Sequence, residues 1–309
     1  MSPVVIAIKI FRAMITVVLL VTFVFVILRL SGDPAVQMLG LEVDPEALEA
    51  FRRRWGLDRP VWEQFLSFFW NLLHGDFGQS FIGGRDALGV VTERLPKTLW
   101  LMGLTTIFTF GLGIPAGIYA SLHRNTFSDR AIMGLTVASF SLPNFVVGII
   151  LIMIFGVTFR LLPTSGSDTV LHYIMPVITM ATADAAIFAR FARSAMLEVL
   201  HAPYMRTARA KGLMWGEAVR RHALPNASIP IVTIGGIYVG RQIAAATITE
   251  NVFAWPGIGK LLVVSVQNRD LAVVQCIVIL VGVTMVIANL LVDIAYGYLD
   301  PRTRTEGGR

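Results

Sequence analysis

Three groups of residues in this chain carry chemistry by type and spacing. Arg206, Arg209 and Lys211 set three cations within six residues of Tyr204-Met-Arg-Thr-Ala-Arg-Ala-Lys-Gly212. A cationic last turn closed by glycine reads as a short helix that stops at Gly212, and a protruding basic helix can seat in a groove of a soluble partner. Asp184 and Arg241 form the second group, opposite charges that each interrupt an otherwise apolar run. The third, Gly257-Ile-Gly259-Lys260-Leu261, has the outline of a phosphate loop but lacks its parts: Ala254 stands where the leading glycine belongs, and Leu261 replaces the Ser or Thr that would meet magnesium. Covalent chemistry finds no footing. The five histidines, at 74, 123, 172, 201 and 222, never fall within four positions of one another, and no H-E-x-x-H or G-x-S-x-G is present. Cys276 is the only cysteine and lies in an apolar run, so an intrachain disulfide and a thiolate metal site are both excluded.

The elements that must position these residues are membrane spans. A chain of 309 residues with 55% hydrophobic residues, 15% charged residues and a mean hydropathy of +0.69 lies outside the range of a soluble enzyme. Runs free of Asp, Glu, Lys and Arg cover 98–123, 131–159 and 271–292, each long enough to cross a bilayer. The run 13–28 comes after Lys9 and Arg12 and lacks a small-x-small cleavage site, so it reads as an uncleaved first span. The runs 174–189, holding Asp184, and 223–249, holding Arg241, complete an expectation of six helices, an all-α polytopic membrane protein. With the N-terminus inside, inner segments hold 14 Lys and Arg and outer segments 10, most of the latter in one long loop. Long loops cross largely regardless of charge, so both termini are expected on the cytoplasmic side. The net charge of +6 is thus spread by membrane side rather than gathered with aromatics on one face, which argues against a nucleic-acid partner.

The chain divides into four regions: 1–30 as the first span, 31–97 as an outer helical segment, 98–300 as a five-helix core with an inner loop over 196–226, and 301–309 as a tail. In the outer segment, Asp44-Pro45-Glu46 is a helix start, with a cap, a proline at the first position and an acid in the first turn. Phe51, Trp55, Trp62, Phe65, Phe68, Phe69 and Trp70 crowd the next twenty or so positions. Such aromatics anchor helices among headgroups or form a docking surface for an extracytoplasmic partner. In the inner loop, the helix stopped at Gly212 gives way to a second short segment, Met214 to Ala223, that ends at Leu224-Pro225, where the next span is expected to begin behind a second corner, a hinge at Pro225. Two short helices with a corner make a lever that carries its attached spans as a body. Asp184 and Arg241 each lie eight residues inside the outer ends of their spans, about 12 Å deep at ~1.5 Å per residue. Equal depth invites an ion pair locking two helices; the alternative is that one or both line a path and meet the amine and carboxylate of a zwitterionic solute.

Tyr204 to Gly212, with Leu224-Pro225 at the matching interval, resembles the coupling loop of binding-protein-dependent ATP-binding-cassette importer permeases, in the form habitual to the dipeptide, oligopeptide and nickel group. Ala208, Gly212, Leu224 and Pro225 match the general pattern of that loop, whereas Arg206, Thr207 and His222 depart from it. Arg-Thr-Ala-Arg-Ala-Lys-Gly is itself the subgroup's form, so the departures narrow the family. Gly32-Asp33-Pro34, Gly56-Leu-Asp58-Arg-Pro60, Gly75-Asp76-Phe-Gly78, Arg193-Ser194, Phe253-x-Trp255-Pro256-Gly257, Asn268-Arg269-Asp270 and Asp300-Pro301-Arg302 agree with the same group in order and spacing.

The resemblance implies a six-helix permease subunit of a bacterial inner membrane that performs no chemistry itself. It implies a second homologous permease, two cytoplasmic ATPase subunits that hold ATP and magnesium, and an extracytoplasmic binding protein; this chain would hold no cofactor. Tyr204, Arg206, Thr207, Ala208, Arg209, Ala210, Lys211, Gly212, Leu224 and Pro225 would meet the ATPase. Peptides lead among the expected solutes, with nickel chelates, modified peptides and glyco-conjugates as alternatives. The group usually has an apolar residue, Pro or Gly at positions 184 and 241. From other classes, an ion-coupled secondary transporter with Asp184 as its protonatable site is weakened by the absence of inverted repeats, and a membrane enzyme by the empty catalytic inventory.

Overall fold

Five of the expected spans form as single helices in the computed structural model, which describes residues 3–30, 35–36, 44–54, 57–80 and 82–299. They are α1 (Pro3–Leu30), α4 (Ala87–Leu122), α7 (Leu171–Leu200), α10 (Leu224–Val252) and α12 (Leu271–Leu299). Each is long and apolar enough to cross a bilayer. Gly32-Asp33-Pro34, Trp55, Gly56, Asp300-Pro301-Arg302 and the expected tail over 301–309 lie outside the described residues.

The remaining expected span, 131–159, is not one helix. It is broken into α5 (Phe127–Ser141) and α6 (Asn144–Leu151), which with its continuation to Thr158 bends 94° from α5. Pro143 causes the break. Its ring forces the preceding residue out of the helical region, and Leu142 is extended at φ −111°, ψ 132°. Beyond α6 the chain widens into a π-helical turn, Ile152–Thr158, and leaves it through Arg160 at φ 52°.

Two glycines bring α4 and α7 together. Gly113 and Gly117 stand one turn apart on α4; a Cβ at Gly113 would lie 2.5 Å from the Ala185 carbonyl, and one at Gly117 would lie 2.9 Å from the Ala192 Cβ. Backbone-to-backbone approach of this kind is how helices associate where no hydrophobic force separates protein from lipid. Phe110 of α4, Phe188 of α7 and Tyr238 of α10 then meet as three rings 4.8–5.7 Å apart and bind the third helix in. On the flank, Val21 and Val24 of α1 pack against Ile279 of α12.

The outer aromatic segment becomes α2 (Pro45–Arg54) and α3 (Val61–Leu73). The Asp44 carboxylate accepts from the Glu46 amide at 3.2 Å, as the sequence leads one to expect of a capping aspartate. Phe65 and Phe68 on one face of α3 meet Phe25 of α1 at 5.3 and 5.6 Å. Trp62 and Trp70 on the opposite face remain exposed.

Two apolar clusters occupy opposite ends of the helix layer. One, around Met196, Met205, Ala218, Ala223 and Ile231, underlies the short helices after α7; the other, around Leu101, Met180, Trp255, Val273 and Ile277, underlies the turn after α10.

Candidate functional site

Pro203 opens helix α8 (Pro203–Ala210) at the position where a missing N–H costs nothing. Met205 and Ala208, three residues apart, are buried against the Met196 cluster. The rest of the helix therefore faces out: Tyr204, Arg206, Thr207, Arg209, Ala210 and Lys211 are all exposed. Partial burial, and then the Glu198 carboxylate, hold the Tyr204 phenol above its ordinary range, so it is a neutral hydroxyl donor.

The helix ends in a double cap. The Leu213 amide donates to the Ala208 carbonyl at 3.3 Å and the Gly212 amide to Arg209 at 2.9 Å, with Gly212 at φ +90°. A Cβ at Gly212 would meet nothing within 4 Å, so glycine is required there for backbone conformation and not for space. Beyond this corner Met214 is 77% exposed, and the Arg209 guanidinium lies 5.5 Å from the Trp215 ring centre. Both Met214 and Trp215 extend the outward face, and basic spacing alone gave no sign of them.

The second expected corner is absent. After α9 (Trp215–Ala218) the chain passes through a π-helical turn, Val219–Ala223, straight into α10. Pro225 follows directly on that wider turn, which interrupts the regular i→i−4 ladder where proline has no N–H to give, so Leu224-Pro225 continues the helix and is no hinge. The one corner of the segment is at Lys211-Gly212.

A buried ion pair stands at the foot of this segment. Arg193 of α7 donates from Nε to Asp129 Oδ1 at 2.6 Å and from Nη2 to Oδ2 at 2.7 Å. Asp129 is 3% exposed, and its Oδ2 also accepts from the amide of Asn125, a residue at φ 66°. The fork ties the first turn of α5 to the half of α7 that leads to α8.

Asp184 and Arg241 do not form the ion pair expected from their equal depth. Asp184 is half-buried on α7 on the side of the Tyr238 hydroxyl, and Arg241 acts on it only as a more distant charge. The reason is helical phase. Tyr238, Gln242, Ala246 and Thr249 turn toward α4 and α7, whereas Ile237, Arg241, Ala245 and Ile248 form the exposed stripe of α10.

Polar atoms continue inward from Tyr238. Gln242, 3% exposed, donates from Nε2 to the Tyr238 hydroxyl at 3.1 Å and to the Met102 carbonyl at 3.2 Å, and accepts from Thr106 at 2.9 Å. Thr109 shares a hydrogen bond with the same hydroxyl at 3.3 Å. Thr106, Thr109, Asp184, Tyr238 and Gln242 thus form one polar belt across three spanning helices. The only mark such a belt leaves in sequence is a few polar residues scattered within apolar runs.

The failed phosphate loop has an occupant from the chain itself. Glu250, fully buried at the end of α10, places Oε2 2.7 Å from the Gly259 amide and 3.1 Å from the Lys260 amide, at the start of α11 (Ile258–Gln267). Thr98 of α4 donates to Oε1 at 2.6 Å while accepting from the Ile258 amide at 2.9 Å. A helix N-terminus favours an anion, and here the anion is internal. A Cβ on Gly257 would fall onto Glu250 Oε1, and one on Gly259 would lie 2.5 Å from Thr247 Cα. Both glycines are therefore required by close approach. The sequence held a signal for this: Gly-x-Gly at a helix start, preceded by a lone acid at the end of an apolar run.

Similarity to known proteins extends over nearly the whole chain. Residues 113–305 match the family model of the binding-protein-dependent transport system inner membrane component, and residues 4–102 match the model of its N-terminal region. The glutathione transport system permease protein GsiC of Escherichia coli strain K12 is 40% identical over 288 residues, which cover 93% of this chain and 94% of that one. GsiC of Shigella flexneri serotype 5b strain 8401 is likewise 40% identical over 288 residues, with the same coverage of 93% and 94%. Among solved structures, an inward-facing form of the MetNI methionine ABC transporter matches with a TM-score of 0.58 at 16% identity, covering 68% of this chain and 96% of that one. A crystal structure of an amino acid ABC transporter with histidines matches with a TM-score of 0.55 at 17% identity, over 68% of this chain and 94% of that one. At such identities these two likenesses bear on the fold alone.

Proposed function

The chain belongs to the family of binding-protein-dependent transport system inner membrane components, and from that premise we propose how its parts share the work of an importer. The family is one of transport proteins and not of enzymes; this chain is a multi-pass inner-membrane permease subunit of an ATP-binding-cassette importer. Its solutes are short peptides, a reading supported by the relatives that carry glutathione, itself a tripeptide, in their names.

One observation carries the mechanism: a helix that buries only Met205 and Ala208 and turns Tyr204, Arg206, Thr207, Arg209, Ala210 and Lys211 outward, locked by a glycine cap at Gly212. In this reading the loop over 196–226 lies in the cytoplasm and seats in a partner ATPase, and both termini lie on the same side. A second permease and a second ATPase complete the complex, and an extracytoplasmic binding protein docks near the segment over 31–97. ATP and its magnesium are held by the ATPases, so this chain holds no cofactor. When the ATPases close, they carry α8, and the continuous helical path from Trp215 to Val252 passes that displacement to the spans. Leu224 and Pro225 serve this transmission from within the helix. Asp184, half-buried at the edge of the polar belt, and Arg241, on the exposed stripe of α10, border the path that alternates between the two sides.

The test uses the assembled complex with Cys276→Ser as background. Arg206→Cys is expected to cross-link to the ATPase and to change its cross-linking yield between nucleotide-free and ATP-bound states. Transport into vesicles is expected to stop with a hydrolysis-dead ATPase; transport that continues would overturn the reading.

A further inference from the structure

We propose that Arg241 is the residue that reads a carboxylate of the passing solute, and that Asp184 does not read its amine. The inference rests on the permease reading above and narrows it to one end of the solute.

The two charges differ in what answers them. Asp184 is half-buried on the side of the Tyr238 hydroxyl. That hydroxyl accepts from Gln242 and shares with Thr109 a hydrogen bond in which either oxygen donates, so it already has partners of its own. Half-buried beside the network of Thr106, Thr109, Tyr238 and Gln242 on α4 and α10, Asp184 belongs to the belt rather than to an open face. Arg241 has no such partner. It is exposed, and among the described residues it makes no hydrogen bond or ion pair and meets Asp184 only as a more distant charge.

An unanswered guanidinium on a spanning helix faces a water-filled path or an acid, because lipid does not tolerate it. Its stripe supports the path. Ile237, Ala245 and Ile248 flank it on the same face, so one fork-shaped donor stands alone on an otherwise smooth apolar surface. Guanidinium offers paired parallel N–H donors that match a carboxylate. A solute that slides along an apolar wall and is checked at one fork is one with an apolar body and a free carboxylate, as in a short peptide.

Two measurements on the complex reconstituted with its binding protein and ATPases test this. In a Cys276→Ser background, Arg241→Cys is expected to react with a membrane-impermeant anionic thiol reagent in at least one nucleotide state. Protection in every state would place Arg241 against protein, for instance an acid of the second permease, and would overturn the proposal. The second measurement compares ATPase stimulation by a mixed short-peptide hydrolysate, untreated or with its carboxylates converted to amides. In the parent complex amidation is expected to raise the half-stimulating concentration about tenfold, the scale of one charge-assisted hydrogen-bond pair. In Arg241→Gln the same comparison is expected to fall below about twofold, while N-acetylated peptides distinguish Asp184→Asn from its parent by less than that. The same binding protein serves both complexes, so its own selection against amides enters both effects equally and cancels in their ratio, which is the quantity that tests Arg241. An amidation effect that persists undiminished in Arg241→Gln overturns the proposal alone. Untreated hydrolysate that fails to stimulate the parent overturns the peptide reading on which it rests.

Discussion

Helix α10 carries two charges nine residues apart, and the fold treats them in opposite ways. Glu250 is buried and accepts hydrogen bonds from a threonine hydroxyl and two helix-start amides; Arg241 is exposed and has no described partner. A buried carboxylate supplied with donors from two other helices is a fastening, since removing it leaves those donors orphaned. A charge left unanswered on a spanning helix has little to contribute to folding and is available to something that passes. Burial and satisfaction, not charge alone, separate structure from function along this helix.

The contrast is broken most sharply at Glu250. Glu250→Ala is expected to destabilise the purified chain by about 3–5 kcal/mol, as when one member of a buried charged network is removed. Thermal unfolding in detergent measures this, and Gly257→Ala is expected to act in the same direction because its methyl group displaces the carboxylate. A Glu250→Ala chain as stable as its parent would remove the first half of the comparison.

Arg193→Ala comes next. It strips a bidentate partner from buried Asp129, yet Arg193 itself is partly exposed, so a loss of about 2 kcal/mol is expected. Exchanging the pair, Asp129→Arg with Arg193→Asp, is expected to recover part of that loss. If ATPase activity of the assembled complex falls in Arg193→Ala and returns in the exchanged pair, the fork serves the neighbouring α8 segment as well as the fold.

Arg241→Gln is expected to have the smallest effect on stability, within about 0.5 kcal/mol of the parent, as for an exposed residue without partners. Its effect belongs to transport. A large loss of stability in this variant would show that Arg241 is fastened after all, and the two ends of α10 would then differ in degree rather than in kind.

Much of this was legible because the relevant rules are local. Pro203 and Gly212 bracket α8 in sequence as they do in space, and Asp44-Pro45-Glu46 opens α2 as its residue types require. Uncharged runs marked three of the five single spanning helices, and apolar runs holding one charge each marked the other two. What failed were readings of long-range arrangement. The run 131–159 contains no charge to interrupt it, yet its two halves stand 94° apart across Pro143. Proline at 96, 176 and 230 lies inside α4, α7 and α10 without ending them, so the residue type alone does not announce a break. Equal depth paired Asp184 with Arg241, but depth counts residues along a helix and says nothing about which side of it a residue faces. Glu250 and the Gly-x-Gly beyond it stand in plain view in the sequence, but what joins them, two backbone amides and Thr98 far away in the chain, is made only by folding.

The sequence by itself determined the class of this protein: the lipid-compatible runs, the basic segment that must reach water, and the cap chemistry that ends α8 at a glycine. Those depend on solvation and on backbone preferences within a few residues. Only the tertiary structure decided which charges are answered and which are free, because that depends on which face each helix turns to its neighbours, and close approaches such as those of Gly113 and Gly117 to α7 and of Gly257 to Glu250 exist only in the folded chain.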